Sequence, residues 1–346
     1  MDEAKGPVLA LTMGDAAGVG PEVCVKALAR KNGGFQYRPV VLGDLENLEL
    51  ALRFVPEPAR PRFSLSAGLP DPSIPKERGT IAVIQSAPPL GKVEPGKLSA
   101  ETGSAAVGYI KMAVELGKQG RIDGIVTAPI NKEAIRLGGF KYPGHTEMLA
   151  EGFGVKNYSL VLSARNIFVF HVTTHVSLRS ALDLITQKRV YGQIKLAYLL
   201  SSALGRRGEP IAVAGVNPHA GEHGLFGNEE ITQISPAIEQ ARSEGIPVEG
   251  PLPADVIFPR MAKGQYKFCI AMYHDQGHGV FKSLYFEEGV NVTVGLPIIR
   301  TSVDHGTAFD IAGKGVAKED SMMEAIKLAA LLGPQWASIS ASANNV

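Results

Sequence analysis

The segment FCIAMYHDQGHGVFK, residues 268–282, joins an apolar run to a dense group of polar residues. Its first six residues show no polar alternation, which is typical of a strand buried on both faces of a parallel sheet. Similar runs occur at PVLALTM (7–13), RPVVLG (38–43), TIAVIQ (80–85), DGIVTA (123–128), YSLVLSA (158–164), IFVFHVTT (167–174), PIAVAGV (210–216) and NVTVGLP (291–297).

Apolar residues at helical spacing lie between several of these runs. Residues 106–116 and 323–332 give the clearest patterns, with apolar side chains three or four positions apart. Strands that alternate with helices predict an α/β protein with a mostly parallel sheet. The chain has 346 residues, which is more than one hydrophobic core usually serves, so two lobes are expected.

Charge and composition argue against several classes of partner. The chain has 35 Lys and Arg against 34 Asp and Glu, and it lacks a basic stripe with interleaved aromatic residues, so nucleic acid is not an expected partner. No apolar run approaches the roughly 20 residues that span a bilayer. The polar start MDEAKG does not look like a secretory signal. We therefore expect a cytoplasmic protein without membrane contact, in which Cys24 and Cys269 are buried free thiols.

Three histidines follow predicted strands directly. His175, His219 and His274 lie near the ends of the runs IFVFHVTT, PIAVAGV and FCIAMY, in segments that are predicted to be polar, glycine-flanked loops. Because α/β sheets bind ligands at the carboxyl ends of their strands, these imidazoles could share one divalent metal and leave an open coordination position. The alternative is three separate histidines, each with its own hydrogen bonds. His171, inside a strand, is predicted to be an interior histidine.

Two further segments carry groups suited to binding an anion. In YPGHTEMLAE (142–151), a turn is followed by His145 and Thr146 at the start of a helix, where backbone N–H groups can receive a phosphate or carboxylate. The alternative is a capped helix without a ligand. In GVNVTVGLPIIRTSVDHGTAFDIAGKG (289–315), Arg300 lies among apolar residues, where a lone charge needs a partner. The loop TMGDAAGVGPE (12–22) lacks the G-x-G-x-x-G spacing of a Rossmann fingerprint.

These residues predict an α/β enzyme, metal-dependent, that acts on a small anionic molecule. Several longer motifs then resemble one family. VAGVNPHAGE (213–222), GPLPADVIF (250–258), AMYHDQG (271–277), GVNVTVGLPIIRTSVDHGTA (289–308) and YPGHTE (142–147) closely resemble the 4-hydroxythreonine-4-phosphate dehydrogenase family, PdxA. The resemblance covers nearly the whole chain.

The resemblance implies a fold and an assembly. The expected fold is the two-lobed α/β/α type of the isocitrate and isopropylmalate dehydrogenases, with NAD or NADP bound without a Rossmann fingerprint. One lobe would comprise residues 1–130 and 290–346, and the other residues 131–289 with the metal histidines. The active site would lie in the cleft between the lobes, near the subunit interface of a homodimer.

The resemblance also implies residue roles. His175, His219 and His274 would hold the divalent metal, for which zinc is favoured and magnesium, cobalt and manganese are alternatives. The substrate-contacting positions fall on His145, Thr146, Lys282, Asn291 and Arg300. Of these, Lys282 is the candidate catalytic residue, and no cofactor-binding residue is assigned.

The substrate within the family is predicted from departures in the motifs. TMGD (12–15), TAPINKEAI (127–135), HDQGHGVFK (274–282) and FGNEE (226–230) look more like the 4-phospho-D-threonate and D-erythronate 3-dehydrogenases, which oxidise a phosphorylated hydroxy acid and release CO2. The alternatives are 4-hydroxythreonine-4-phosphate dehydrogenation in vitamin B6 synthesis and oxidation of an aromatic cis-dihydrodiol such as the terephthalate diol. From other classes, a metal-dependent phosphosugar lyase or aldolase and a non-catalytic metabolite-binding protein remain.

Overall fold

The computed structural model describes residues 6–30, 36–69, 80–285 and 288–343. The strands are β1 (Val8–Thr12), β2 (Arg38–Leu42), β3 (Arg62–Leu65), β4 (Thr80–Ile84), β5 (Gly124–Thr127), β6 (Ser159–Ala164), β7 (Ile167–His171), β8 (Ile211–Ala214), β9 (Val248–Leu252), β10 (Phe268–Ala271), β11 (Val290–Val294) and β12 (Ile299–Val303).

Helices cover much of the remaining described chain. They are α1 (Gly20–Ala29), α2 (Leu45–Ala51), α3 (Ala100–Lys118), α4 (Lys132–Leu137), α5 (His145–Phe153), α6 (Leu178–Leu184), α7 (Gln187–Ala203), α8 (Ser235–Ser243), α9 (Ala254–Ala262), α10 (His274–Tyr285) and α11 (Asp320–Ala343). Within the described ranges, no helix combines the length and the apolar character needed to cross a bilayer.

The chain divides into two compact units. Unit 1 takes the described parts of Met1–Lys156 and Leu296–Ala337, and unit 2 those of Asn157–Gly295 and Ser338–Val346. Compared with the expected lobes, residues 131–156 fall in unit 1, whereas residues 290–295 and the described part of 338–346 fall in unit 2. The first difference arises because α4 and α5 pack on α3: a Cβ at Gly103 of α3 would collide with the α4 backbone. Residues 290–295 fall in unit 2 because β11 pairs with β6.

Unit 1 contains a parallel arrangement of strands in the order β3-β4-β2-β1-β5-β12. The inner strands are almost continuously buried, as the apolar runs predicted. Side-chain caps start the helices: Asp44 caps α2, Ser99 caps α3 and Asn131 caps α4. Because β2 and β5 flank β1 on opposite sides, the carboxyl end of β1 is a topological switch point, where such sheets bind ligands.

Unit 2 has the strand order β11-β6-β7-β10-β8-β9. Strands β7, β10, β8 and β9 pair in parallel, whereas β6 is antiparallel to both of its neighbours. The β6–β7 hairpin turns at Arg165 and Asn166, whose φ angles of 47° and 63° suit the two-residue turns that match strand twist. The prediction of a mostly parallel α/β fold is confirmed, and Cys24 and Cys269 are free and buried as predicted.

Candidate functional site

The stretch after β10 is helical, which corrects the prediction of a polar loop there. Helix α10 begins at His274, and the Nδ1 atom of that residue lies 2.8 Å from Asp275 Oδ1. A carboxylate on one ring nitrogen orients the imidazole and leaves the other nitrogen for a cation. The His175 ring lies nearby, with its centroid 5.7 Å from that of His274. Two of the three predicted ligands are therefore neighbours in unit 2.

A further histidine, His278, belongs to this group and was missed from the sequence. Its ring stacks on His274 with centroids 3.8 Å apart and planes 11° apart. Its Nδ1 lies 3.0 Å from Nε2 of the buried His171. A Cβ at Gly277 would collide with that His171 nitrogen, so the glycine permits the approach. The sequence signal is the four-residue spacing of His274, His278 and Lys282, which places them on one helix face.

These inner imidazoles are held neutral. Burial lowers the pKa of His171 well below its ordinary value, and the adjacent His278 and His274 act in the same direction. Burial also lowers the pKa of His278 to about 4, with contributions from His274 and Lys282. The prediction that His171 is an interior histidine is confirmed. A neutral imidazole can accept or donate one hydrogen bond per nitrogen, which lets the pair fix each other's orientation.

His219 lies in a different local setting, on a left-handed turn after β8. Residues 219–223 all have φ between 42° and 82°, and four of them are not glycine. Each such residue costs about 1 to 2 kcal/mol relative to right-handed backbone. The buried carboxylate of Glu230 holds the entrance of the turn: it accepts hydrogen bonds from the N–H groups of Val216 at 2.7 Å and Asn217 at 2.8 Å. Strain of this kind, held in place by its surroundings, is typical of functional positions.

The predicted three-histidine set is not gathered within one chain. The His219 ring contacts Phe226, with centroids 6.1 Å apart. In the part of the chain that the structure describes, no three His, Cys, Asp or Glu side chains are placed to hold a metal ion together. The assignment of His175, His219 and His274 as metal ligands stays a prediction.

Unit 1 contains the second group of predicted residues, centred on Arg300. This arginine lies on β12 and is only 3% exposed. Its Nη2 and Nε atoms donate to Thr127 Oγ1 at 2.7 and 3.2 Å. Burial lowers the pKa of Arg300 to about 9, against an opposing effect of Glu147, so the guanidinium stays charged at neutral pH. Arg300 is therefore buried with a hydrogen-bond partner, as its apolar surroundings in the sequence predicted.

His145 lies in the electrostatic field of that guanidinium. It is the first residue of α5. Burial lowers the pKa of His145 well below its ordinary value, and the charge of Arg300 lowers it further. The Nε2 atom of His145 is buried without a hydrogen-bond partner in the protein. A buried polar atom of this kind calls for a partner, and a polar group of a ligand bound beside Arg300 would supply one.

The remaining predicted substrate residues are distributed over both units. Thr146 is half-buried in the first turn of α5 in unit 1. Asn291, on β11, and Lys282, on α10, belong to unit 2, and both are half-buried. Their assignment as substrate contacts, and that of Lys282 as catalytic, stays a prediction.

Comparison with known proteins decides the family. The family described as "Pyridoxal phosphate biosynthetic protein PdxA" matches residues 36–329. The chain belongs to the PdxA family. It is 51% identical over 332 residues to a D-threonate 4-phosphate dehydrogenase of Bordetella bronchiseptica, which covers 95% of this chain and 93% of the relative. A D-threonate 4-phosphate dehydrogenase of Cupriavidus necator is 48% identical, with coverage of 96% and 98%.

A solved structure of the same family shares the fold of this PdxA-family chain. The 4-hydroxythreonine-4-phosphate dehydrogenase of Klebsiella pneumoniae superposes with a TM-score of 0.84 at 43% identity, covering 95% of this chain and 98% of that one. The predicted family and fold class are therefore confirmed, and so is the oxidoreductase class. The alternatives of a lyase, an aldolase or a non-catalytic binding protein receive no support from these relatives.

Proposed function

We propose that this chain is a metal-dependent NAD(P) dehydrogenase that oxidises the 3-hydroxyl group of D-threonate 4-phosphate, or of the erythronate counterpart. The observation that carries the proposal is the anion subsite of unit 1. There, the buried Arg300 is held by Thr127 beside a neutral His145 whose Nε2 has no protein partner. The names of the relatives from B. bronchiseptica and C. necator support this substrate.

The anion subsite favours a substrate with a phosphate or carboxylate end. Arg300 supplies a fixed positive charge with a planar fork of donors, which suits both anions. The neutral His145 places no second charge beside the guanidinium. Because its other ring nitrogen is bonded to the backbone of Ala128, Nε2 can accept a hydrogen bond from a hydroxyl group of the ligand. Thr146 and the first N–H groups of α5 add donors at the positive end of a helix dipole. Lys282 and Asn291 would contact the other parts of the substrate.

Residues of unit 2 are proposed to hold a divalent cation. His175 and His274 are neighbouring imidazoles, and Asp275 fixes one nitrogen of His274, which is how proteins orient metal-bound histidines. His219 is proposed as the third ligand. Imidazole suits zinc, cobalt and related ions, among which we favour zinc.

A nicotinamide nucleotide is proposed to bind unit 1 at the carboxyl end of β1. This end is the switch point of the sheet, and α1 starts directly behind it. Gly14 has a φ of 73°, and a Cβ there would collide with the Pro129 carbonyl oxygen, so the loop of residues 13–19 packs tightly against the residues that follow β5. Bound there, the nicotinamide supplies the hydride acceptor.

The chemistry divides between the bound groups and the residues of the chain. When bound, the cation lowers the pKa of the substrate hydroxyl and stabilises charge on its oxygens. The chain's residues hold the phosphate and carboxylate ends, so that C3 is fixed in one orientation. Oxidation at C3 gives a ketone β to the carboxylate. The C1–C2 bond can then break with release of CO2, leaving a ketone phosphate after C2 takes up a proton.

The active enzyme is proposed to be a homodimer. Large apolar side chains beside His175 and His219 are exposed in the single chain; these are Val176, Leu178, Leu182, Leu225, Phe226 and Ile231. Leu225 is 72% exposed. Exposed apolar residues in such number indicate a protein interface. A second copy that covers them would bring histidines of two chains together. This is consistent with the finding that, among the described residues of one chain, no three potential ligands are placed to share a metal ion.

The substrate assignment is tested by NAD(P)+ reduction with zinc-loaded protein. D-threonate 4-phosphate, 4-phosphohydroxy-L-threonine and an aromatic cis-dihydrodiol are compared, with unphosphorylated D-threonate as the matched control. We expect turnover of D-threonate 4-phosphate with stoichiometric CO2, and at least a hundredfold lower kcat/KM without the phosphate, since about 3 kcal/mol of charged hydrogen bonding is lost. Preference for the amino-bearing substrate would instead assign the chain to vitamin B6 synthesis, and preference for the diol would remove the role of the anion subsite.

The shared metal site is tested with mixed dimers. His175→Ala, His219→Ala and His274→Ala variants are made separately and co-expressed in pairs. If the ligands come from two chains, the two pairings that combine variants of ligands from different chains each restore a complete site in part of the dimers and recover activity that neither parent has. Absence of recovery in every pairing would place all three ligands on one chain, and a monomer in sedimentation would remove the dimer proposal.

A further inference from the structure

A buried acid outside the predicted ligand set controls the turn that carries His219. Glu230 is 3% exposed, and one of its oxygens accepts hydrogen bonds from two consecutive backbone N–H groups, those of Val216 and Asn217. Its other oxygen accepts from Asn217 Nδ2 at 2.9 Å. The carboxylate therefore provides hydrogen-bond acceptors for the backbone N–H groups that lie just before the left-handed residues.

The glycines around this carboxylate show that the turn is built against it. A Cβ at Gly215 would lie 2.9 Å from Glu230 Oε1, and a Cβ at Gly221 would lie 2.7 Å from Oε2. Both positions therefore exclude any larger residue while the carboxylate is in place. Gly215 lies before the turn and Gly221 within it, so Glu230 touches the turn on two sides.

The carboxylate itself is anchored to the core. Glu230 opens a π-helical turn, Glu230–Ile234, which leads into α8. Ile234, Ala237 and Ile238 on that segment are fully buried. π-turns inside helical segments occur frequently at functional sites. Glu230 thus connects a rigid helix to the strained turn.

We infer that Glu230 is a positioning residue that holds the left-handed turn so that His219 presents its imidazole to the divalent cation. The inference rests on the proposed function, because that proposal makes His219 a ligand. Glu230 does not touch the cation or the substrate. It acts through the backbone of Val216 and Asn217, and its effect should appear in metal affinity and in the order of the His219 ring.

The chain provides a matched control in the neighbouring acid. Glu229 is half-buried and also contacts Asn217, but only through the side-chain amide, at 2.7 Å. The variants Glu230→Gln and Glu229→Gln thus make the same chemical change one residue apart, and only the first disturbs the acceptor for the backbone of the turn.

Cobalt binding gives the first readout. Full-length wild type, both Gln variants and His219→Ala are titrated with Co2+ against a chelator, and their visible spectra are recorded. We expect Glu230→Gln to weaken cobalt affinity about 10- to 100-fold, the usual range for residues that orient ligands, and Glu229→Gln to change it by less than about threefold. Equal affinities for the two Gln variants would overturn the inference.

Histidine NMR gives a readout that needs no metal. In metal-free, 13C-histidine-labelled protein, the His219 signal is assigned from its loss in His219→Ala. The inference predicts one sharp His219 signal in wild type and in Glu229→Gln, and a broadened or multiple signal in Glu230→Gln. An unchanged signal in Glu230→Gln overturns it. If His219→Ala binds cobalt like wild type, the metal assignment in the proposed function fails, while the NMR result still decides the role of Glu230.

A second variant separates positioning from general loss of stability. Ala220 has a φ of 53°, which glycine adopts without strain. Adding Ala220→Gly to Glu230→Gln should raise the cobalt affinity at least threefold above that of Glu230→Gln alone. The reason is that glycine forms the left-handed turn without strain, so the turn needs less restraint from Glu230. No recovery, with melting temperatures of the single and double variants equal, would overturn the inference.

Discussion

The anion subsite of unit 1 and the histidine region of unit 2 are built in opposite ways. Arg300 and Thr127 lie on buried strands and are bonded to each other before any ligand arrives. In unit 2, His175 and His219 are exposed, and His219 depends on a strained turn. The anion subsite is therefore preorganised by the core of a single chain, whereas the histidine region depends, by our proposal, on a cation and a second subunit.

The substitution Arg300→Lys, for which we expect the greatest loss of activity, tests whether the anion subsite works independently of the histidine region. Arg300→Lys keeps the charge but loses the planar fork that bonds Thr127 and the substrate. We expect kcat/KM for the phosphorylated substrate to fall about a thousandfold, or about 4 kcal/mol, with cobalt affinity unchanged. Initial rates and metal titrations measure the two quantities.

Arg136→Lys is the matched control for this change, because Arg136 is exposed on α4. Its kcat/KM should stay within a factor of about two. A parallel loss of metal affinity in Arg300→Lys would show that the two subsites are not independent, and the comparison between them would fail.

The same contrast, between buried strands and an exposed turn, explains which features of the fold and the site could be predicted from the sequence. Core strands such as β7 and β10, and the helix α3, follow directly from apolar patterns, because burial dictates their residues. Arg300 was found because a charge among apolar residues needs a partner. By contrast, β3 lies in a stretch rich in proline and polar residues, and its own residues are largely exposed. The apolar patterns of the sequence therefore do not predict this strand.

Other features depend on tertiary context. Gly277 and Gly279 made the start of α10 look like a loop, so the helix face that joins His274 to His278 was missed. The left-handed turn at His219 contains four non-glycine residues, whose conformation follows from the distant carboxylate of Glu230 and from no local preference. Residues 131–156 belong to unit 1 through packing on α3, which no periodicity could show.

The second prediction tests the histidine region. His278→Leu retains much of the volume but removes the hydrogen bond to His171 and the stacking on His274. We expect about tenfold weaker cobalt affinity, with little change in substrate KM if unit 1 supplies most of the anion binding. Chelator competition measures the affinity. His305→Leu is the control, since His305 is exposed and bonds only to its neighbouring carbonyl, that of Gly306; equal losses in both variants would contradict a role for the stack.

The last and smallest change, one in unfolding free energy, is expected at a buried carboxyl group of unit 1. One oxygen of this group has no hydrogen-bond partner. Asp15 is fully buried, with Oδ1 accepting from Ala17 N–H at 2.9 Å and Oδ2 without a partner. Burial raises the pKa of Asp15 above its ordinary value of 3.8, although the hydrogen bond from Ala17 and the nearby Thr102 hydroxyl oppose the shift. A raised pKa means that this carboxyl contributes stability below pH 3.8 and loses it as the pH rises through the folded-state value.

Asp15→Asn removes the ionisation, so we expect unfolding free energy at neutral pH to increase by about 1 kcal/mol. The gain should shrink as the pH falls through the raised folded-state pKa of Asp15 and should be absent below its ordinary value of 3.8; chemical denaturation across that range measures it. Asp44→Asn provides the opposite case, because Asp44 is equally buried but both of its oxygens accept hydrogen bonds, from Asn47 and Leu90. That variant should lose stability at neutral pH. If both variants shift stability in the same direction, the unpartnered oxygen of Asp15 is not the cause.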